Sequence, residues 1–270
     1  IRINPMIDAG SPSLYHVSSD ESKFGVPIVE EEAIINAILN YPITQLHVHA
    51  GSHMNDLERA VNAVATLCDL AQRSNSILAN NKINRRIEFL DIGGGLPPEI
   101  LNDKAKSNMQ TYSTNMYNLI PDLKNYSLVT EFGQWCYFYT GYAISKVEYA
   151  LKRGTKNVAF IHLGADFLMR DAYTKPRGIE FIILDNKQNR KNGNEEPYDI
   201  AGPLCFAGDY LIKNQNLPSV TEGDWMILLN SGSNSLGLWS RHCSRSIPKV
   251  FGIDFLQKKI ELLSHRQTFY

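Results

Sequence analysis

Residues 29–39 carry glutamates first and then apolar residues at helical spacing, and residues 56–78 repeat that pattern over a longer stretch. Both are predicted to be amphipathic helices. Around and after them come short apolar runs, 45–48, 87–92 and 127–130, each ending in a cluster of residues able to carry chemistry. This is βαβα alternation with function at the strand ends. From about Tyr137 the texture changes to β-rich runs at 158–163, 179–184 and 225–229, separated by turn chemistry, and a second, all-β domain is expected there. The polar stretch 185–194 reads as a solvated loop whose charges need no partner. The expected fold class is therefore α/β followed by all-β, with domains at 1–137 and 138–270, and the chain shows no internal repeat or low-complexity tract.

With 270 residues, 43% hydrophobic and 20% charged, the chain is able to bury one large core or two modest ones. Its 27 basic and 28 acidic residues leave a formal charge of -1, which gives no general attraction to nucleic acid or to an anionic membrane, so any anion site must be local. No apolar stretch approaches the roughly 20 residues of a membrane span and none resembles a signal peptide, so a cytoplasmic location is expected. Cys68, Cys136, Cys205 and Cys243 are widely spaced, without metal-ligand or secreted-disulfide patterning; they are read as reduced thiols, and no metal site is expected. The opening Ile1-Arg-Ile-Asn-Pro5 alternates like an interior strand, so a segment of a longer or processed chain is expected.

The candidate chemistry begins at Glu88-Phe-Leu-Asp-Ile-Gly-Gly-Gly95, where backbone without side chains at a strand end lets amides approach an anion. Gly93, Gly94 and Gly95 thus read as a phosphate cradle. Upstream, Leu46-His-Val-His-Ala-Gly-Ser-His53 ends a second strand: once the chain turns at Gly51, His49 is available to stack on a flat aromatic ligand while Ser52 donates to its phosphate. Either motif alone more often marks a turn or a packed histidine; their order in the chain favours one phosphorylated ligand. Glu131-Phe-Gly-Gln134 ends a third strand, where a carboxylate suits a protonated ring nitrogen such as that of a pyridoxal cofactor. Cys205 and Asp209, in the stretch that opens Gly202-Pro-Leu-Cys205, combine a thiol able to donate a proton with a carboxylate, although a single cysteine is more often a small buried hydrophobe.

Taken together these residues resemble the fold-type III pyridoxal-phosphate decarboxylases, the family of diaminopimelate, ornithine and biosynthetic arginine decarboxylases, and are most similar to the diaminopimelate branch. The resemblance runs in order through Ile1-Arg-Ile-Asn-Pro5, Lys23-Phe-Gly25, Leu46-His-Val-His-Ala-Gly-Ser52, Asp91-Ile-Gly-Gly-Gly95, Glu131-Phe-Gly-Gln134, Gly202-Pro-Leu-Cys205 with Gly208-Asp209, and Ser244-Arg245 before Pro248. It implies the C-terminal part of a (β/α)8 barrel followed by a β-sandwich or β-barrel-like domain. It also implies pyridoxal 5'-phosphate as cofactor, with His49 stacked on the ring, Ser52 and Gly93–Gly95 on the phosphate and Glu131 on the ring nitrogen. Gln134 and Asn234 fall at cofactor-binding positions. Cys205 would reach across a head-to-tail homodimer interface to protonate the carbanion left by carbon dioxide, and Arg170, Phe206 and Asp209 fall at substrate-binding positions.

The departures matter for function. The family's cofactor-bearing lysine lies in a run that this chain lacks, and Lys23 belongs to another motif, so an N-terminal segment outside this chain is expected to supply it and to close the barrel. Gln134 stands where the family has an arginine, Asn234 where it has a tyrosine, and Phe206 where an acid usually follows the cysteine. Glutamine and asparagine still donate hydrogen bonds, but phenylalanine makes no salt bridge to a distal ammonium. The expected activity is therefore decarboxylation of an amino acid or amino-acid conjugate other than free diaminopimelate or ornithine, of the kind met in siderophore or other secondary pathways. The alternatives are a catalytically impaired regulatory homologue and a non-catalytic phosphate-ester binding protein.

Overall fold

The computed structural model describes residues 1–11, 16–98, 108–167 and 180–268. The chain divides into two compact units, Ile1–Cys136 and Tyr137–Tyr270.

In the first unit β1 (Ile3–Asn4) pairs in parallel with β2 (Val26–Pro27), and helix α1 (Glu31–Asn40) leads to β3 (Gln45–His47). Helix α2 (Leu57–Asn80) leads to β4 (Phe89–Asp91), and α3 (Asn108–Leu119) precedes β5 (Ser127–Val129) and the short helix α4 (Gly133–Tyr137). Strands β3, β4 and β5 pair in parallel, in that order, and a parallel bridge from Arg2 to His47 brings β1 alongside β3. The result is a half-barrel sheet whose strand ends all point the same way.

Sequence explains how the layers form. Asp56 caps α2 by accepting from the Arg59 amide at 3.0 Å. The helix then buries Ala60, Val61, Val64, Leu67, Ala71 and Leu78, a stripe at helical spacing, with Leu46 and Leu90 of the sheet in the same core. Asn75 bonds both the amide and the carbonyl of Ile87, at 2.6 and 3.1 Å, and so fixes the entry into β4. Helix α1 starts two residues later than the sequence predicted, because residues Ile28–Glu30 form a 3-10 turn first. Helix α3 was not predicted. Its residues are mostly Asn, Thr, Ser and Tyr, weak helix formers, and burial of Tyr112 and Met116 decides it instead.

The second unit is a six-stranded sheet formed by β6 (Ala143–Arg153), β7 (Lys156–Ile161), β8 (Phe181–Leu184), β9 (Glu195–Ala201), β10 (Tyr210–Pro218) and β11 (Trp225–Leu228). Its order is β10-β9-β7-β6-β11-β8, and every pair is antiparallel except β7 with β9. Alternate residues Ala143, Ser145 and Val147 of β6 point inward, and Val147, Ile161, Ile200, Leu211 and Met226 share its core. A separate hairpin pairs β12 (Val250–Asp254) with β13 (Lys259–Ser264). The expected α/β then all-β class is present, and among the described residues no helix is long and apolar enough to cross a membrane.

Candidate active site

Three neighbouring strand ends of the first unit carry the candidate chemistry. Residue 47 of β3 is the register partner of Asp91 in β4, and Asp91 is that of Val129 in β5, so His49, Gly93 and Glu131 leave the sheet side by side. The Val48 amide donates to the Asp91 carbonyl and the Glu131 amide to the Gly93 carbonyl, both at 2.9 Å. The segments beyond the strands are thereby held against one another.

All three glycines are required by close approach. A methyl group at Gly93 would meet the Val48 carbonyl and the His49 ring, at Gly94 the Glu131 carbonyl, and at Gly95 the Gly51 carbonyl. Gly93 and Gly95 also have φ of 69° and 91°, which side-chain-bearing residues rarely adopt. The predicted cradle is narrower than the sequence implied, however. The Gly93 amide donates to Asp91 Oδ1 at 2.9 Å and the Gly94 amide to His49 Nδ1 at 3.0 Å. Only the Gly95 amide makes no hydrogen bond to a described residue, and the packing of Gly51 and Ser52 against Gly95 brings Ser52 beside it.

The Gly94 bond fixes the imidazole of His49 as an acceptor at Nδ1. Burial is the first reason that its pKa falls from 6.5 to about 4, with the Arg2 charge next. A neutral, oriented ring is the form suited to stacking on a pyridine. Glu131, half exposed, lies with Oε2 3.8 Å from His49 Nδ1 and 3.7 Å from His47 Nε2. His47, Asp91 and Glu131 converge within 4.8 Å. Desolvation, ahead of the charges around it, lowers the pKa of His47 as well.

Arg2 and His47 belong to this site and were not singled out from sequence. The signal for His47 was present: in Leu46-His-Val-His49 the two imidazoles are two residues apart and share a strand face. Arg2, whose guanidinium lies 4.6 Å over the Phe24 ring, gave no signal of its own.

Arg2 Nη2, His47 Nε2 and Gln134 Nε2 are buried nitrogens without a hydrogen-bond partner among the described residues. Such atoms are costly unless a ligand satisfies them. The glycine cradle, the neutral imidazole, the carboxylate and the orphaned donors together fit a flat, anionic, nitrogen-heterocyclic cofactor.

The remaining candidates lie on the second unit. Asp209, expected at a substrate-binding position, has its carboxylate engaged by the backbone of its own unit. It is buried, accepting the Ala165 amide at Oδ1 and the Leu204 amide at Oδ2, each at 2.7 Å. Desolvation raises its pKa, against those two bonds. The carboxylate thus clamps the 202–209 turn between β9 and β10, which presents Cys205 as an exposed thiol. Phe206 beside it lies 6.3 Å, ring to ring, from His242. The Cys243 sulfur is 3.2 Å from that of Cys205 and raises the Cys205 pKa through a hydrogen bond. Asn234 is exposed with φ of 56°, a left-handed position that asparagine tolerates better than a tyrosine would. Arg170 lies outside the described residues.

Both parts of the chain have counterparts among known proteins. Residues 1–136 match the pyridoxal-binding domain of the pyridoxal-dependent decarboxylases, and residues 134–232 match their C-terminal sheet domain. The chain is 28% identical to diaminopimelate decarboxylase of Helicobacter pylori, across 99% of this chain and 64% of that protein. It is 26% identical to diaminopimelate decarboxylase of Methanothermobacter thermautotrophicus, across 99% and 62%. Among solved structures, diaminopimelate decarboxylase from Helicobacter pylori complexed with L-lysine superposes with a TM-score of 0.83 at 23% identity, covering 99% of this chain and 64% of that one. The arginine decarboxylase of Paramecium bursaria Chlorella virus bound to agmatine gives 0.72 at 18%, covering 89% and 62%. The chain thus spans less than two thirds of the length of these relatives. Its half-barrel is the corresponding portion of their barrel-plus-sheet fold, and the pyridoxal-binding domain matched by residues 1–136 makes pyridoxal 5'-phosphate the cofactor. With both domain types matched in order along the chain, the protein belongs to the pyridoxal-dependent decarboxylases, on the diaminopimelate decarboxylase side of the family.

Proposed function

We propose that the protein is a pyridoxal-phosphate-dependent decarboxylase of an amino acid whose distal end is not a free ammonium group, an amino-acid conjugate being the substrate class that fits. The observation that carries the reading is the convergence of neutral His49, the Gly95 amide, Glu131 and three orphaned buried nitrogens at one end of the half-barrel. When bound, the cofactor supplies an electron sink that accepts the pair left as the substrate carboxylate departs.

The chain's own residues have separate tasks. Gly95 and Ser52 hold the phosphate, assisted by Gln134, which replaces an arginine's charge with a hydrogen bond. His49 stacks on the ring, and its neutral state keeps a second positive charge away from a ring nitrogen whose proton Glu131 holds. Cys205 donates a proton to the substrate carbon after carbon dioxide leaves, from a subunit paired head to tail with its neighbour in a homodimer. Phe206 replaces the acid that would receive a distal ammonium, which supports an apolar or masked substrate end. Arg170 holds a substrate carboxylate. The location proposed is cytoplasmic and the pathway a secondary one, such as siderophore assembly.

The retention of both Glu131 and Cys205 favours a working site over an impaired regulatory homologue, because a chain relieved of chemical demand has little reason to keep both. Two measurements test the reading on the full-length protein. Borohydride reduction with added pyridoxal phosphate is expected to leave a pyridoxyl group on a lysine that peptide mapping locates. Carbon dioxide release is expected to be at least tenfold faster from an amino-acid conjugate than from free diaminopimelate. No pyridoxyl-lysine at any cofactor concentration would leave the regulatory reading standing, and brisk turnover of free diaminopimelate would remove the conjugate.

A further inference from the structure

Cys205 and Cys243 are 38 residues apart in sequence, yet their sulfurs lie 3.2 Å apart, and both residues are exposed. A disulfide needs a sulfur separation of about 2.0 Å, so an approach of roughly 1 Å closes the bond. Neither residue is in a strand. Cys205 sits on the turn between β9 and β10, and Cys243, with a left-handed φ of 54°, on the kinked turn 242–244. The approach therefore breaks no ladder hydrogen bond. The two turns are also tethered to the same segment of chain. Arg245 Nε donates to Asp166 Oδ2 at 2.7 Å, and Asp209 accepts the neighbouring Ala165 amide. His242 adds an imidazole within 4.8 Å of both sulfurs, a base in place to take a thiol proton.

We propose that Cys205 and Cys243 form a redox-active dithiol, closed to an intrachain disulfide by a low-molecular-weight disulfide of the glutathione class. One cysteine, as thiolate, attacks a sulfur of the small disulfide and expels one small thiolate. The second cysteine then attacks the mixed disulfide, forming the Cys205–Cys243 bond and expelling the second small thiolate. Two electrons pass to the oxidant, and the two thiol protons end on the two small thiols released. The disulfide stands on geometry alone. Its consequence, a decarboxylase silenced because its proton donor is consumed, rests on the function proposed above.

The test treats the reduced full-length protein with glutathione disulfide, alkylates the remaining thiols, and maps peptides without reductant. A cross-linked pair containing Cys205 and Cys243 is expected, with Cys68 and Cys136 alkylated and dithiothreitol restoring all four thiols. In Cys243→Ser, and equally in Cys243→Ala should the serine fail to fold, the reaction is expected to stall with one glutathione trapped on Cys205. Decarboxylation by the wild-type protein is expected to fall at least tenfold on oxidation and to return on reduction. The same stable glutathione adduct on Cys205 in wild type and variant overturns the proposal, as does separate alkylation of both cysteines after oxidation. Zinc held one-to-one by Cys205, His242 and Cys243 in the purified protein, shielding both thiols, overturns it in favour of a metal site. The cross-link is read whether or not the protein decarboxylates anything, so failure of the catalytic reading is distinguishable from failure of this one.

Discussion

Holding His49 neutral has a cost that pH exposes. In the unfolded chain its imidazole takes a proton near 6.5, whereas in the folded protein it does so only near 4. Above pH 6.5 both states are neutral and nothing is lost. As pH falls from 6.5 toward 4 the unfolded chain gains a proton that the folded protein refuses, so stability is lost across that window and no further below it. Each pKa unit corresponds to about 1.4 kcal/mol, so a shift of roughly 2.5 units sets a limit of about 3 kcal/mol, most of it already lost by pH 4.5. The group is largely buried, with 18% of its side chain exposed, so solvent screening reduces this only modestly. The perturbation is His49→Gln, which keeps an acceptor for the Gly94 amide and removes the titration. Urea unfolding of both proteins at pH 7.5 and 4.5 isolates the term, because His47 and every carboxylate titrate in each. Wild type should lose about 2 kcal/mol more than the variant between the two pH values. Parallel losses, or a His49 ring resonance that titrates near 6.5, would refute the account of a desolvated, neutral imidazole.

Other expectations follow from the same geometry. Gly94→Ala places a methyl group on the Glu131 carbonyl and should cost about 1–3 kcal/mol, with cofactor affinity reduced at least tenfold in a fluorescence titration. Asp209→Ala strands the Ala165 and Leu204 amides and should destabilise by about 2–4 kcal/mol in urea. Arg245→Met leaves the fully buried Asp166 carboxylate without its partner and should cost about 3 kcal/mol by the same assay. By contrast Arg73→Ala, which removes a well-formed but exposed pair with Glu31, should change stability by less than about 1 kcal/mol.

Separating the two cysteines by function changes how the second unit is understood. The 202–209 turn is a rigid support: Gly164 and Gly202 leave no room for side chains against the Asp209 carboxylate, and Asp209 in turn fixes the backbone on both sides of Cys205. That firmness keeps Cys205 within reach of the Cys243 thiol, 3.2 Å away sulfur to sulfur.

What the sequence determined on its own was whatever depends on near neighbours in the chain. The helix over α2, the strand runs 45–48, 87–92 and 127–130 and the β-rich texture after Tyr137 are all set by spacing and local propensity. So were His49, the glycine triplet, Glu131 and Cys205, because each ends a recognisable run. Tertiary structure decided what depends on partners distant in sequence. Helix α3 forms because Tyr112 and Met116 find a core, against weak propensity. Gly94 spends its amide on His49, 45 residues away, and Asp209 is drawn inward by Ala165, 44 residues away. His49 is neutral through burial, and Arg2 and Cys243 acquire their roles by contacts that only the folded chain makes. Local rules fix which groups stand at a strand end; desolvation and long-range hydrogen bonds fix which of them remain available for chemistry.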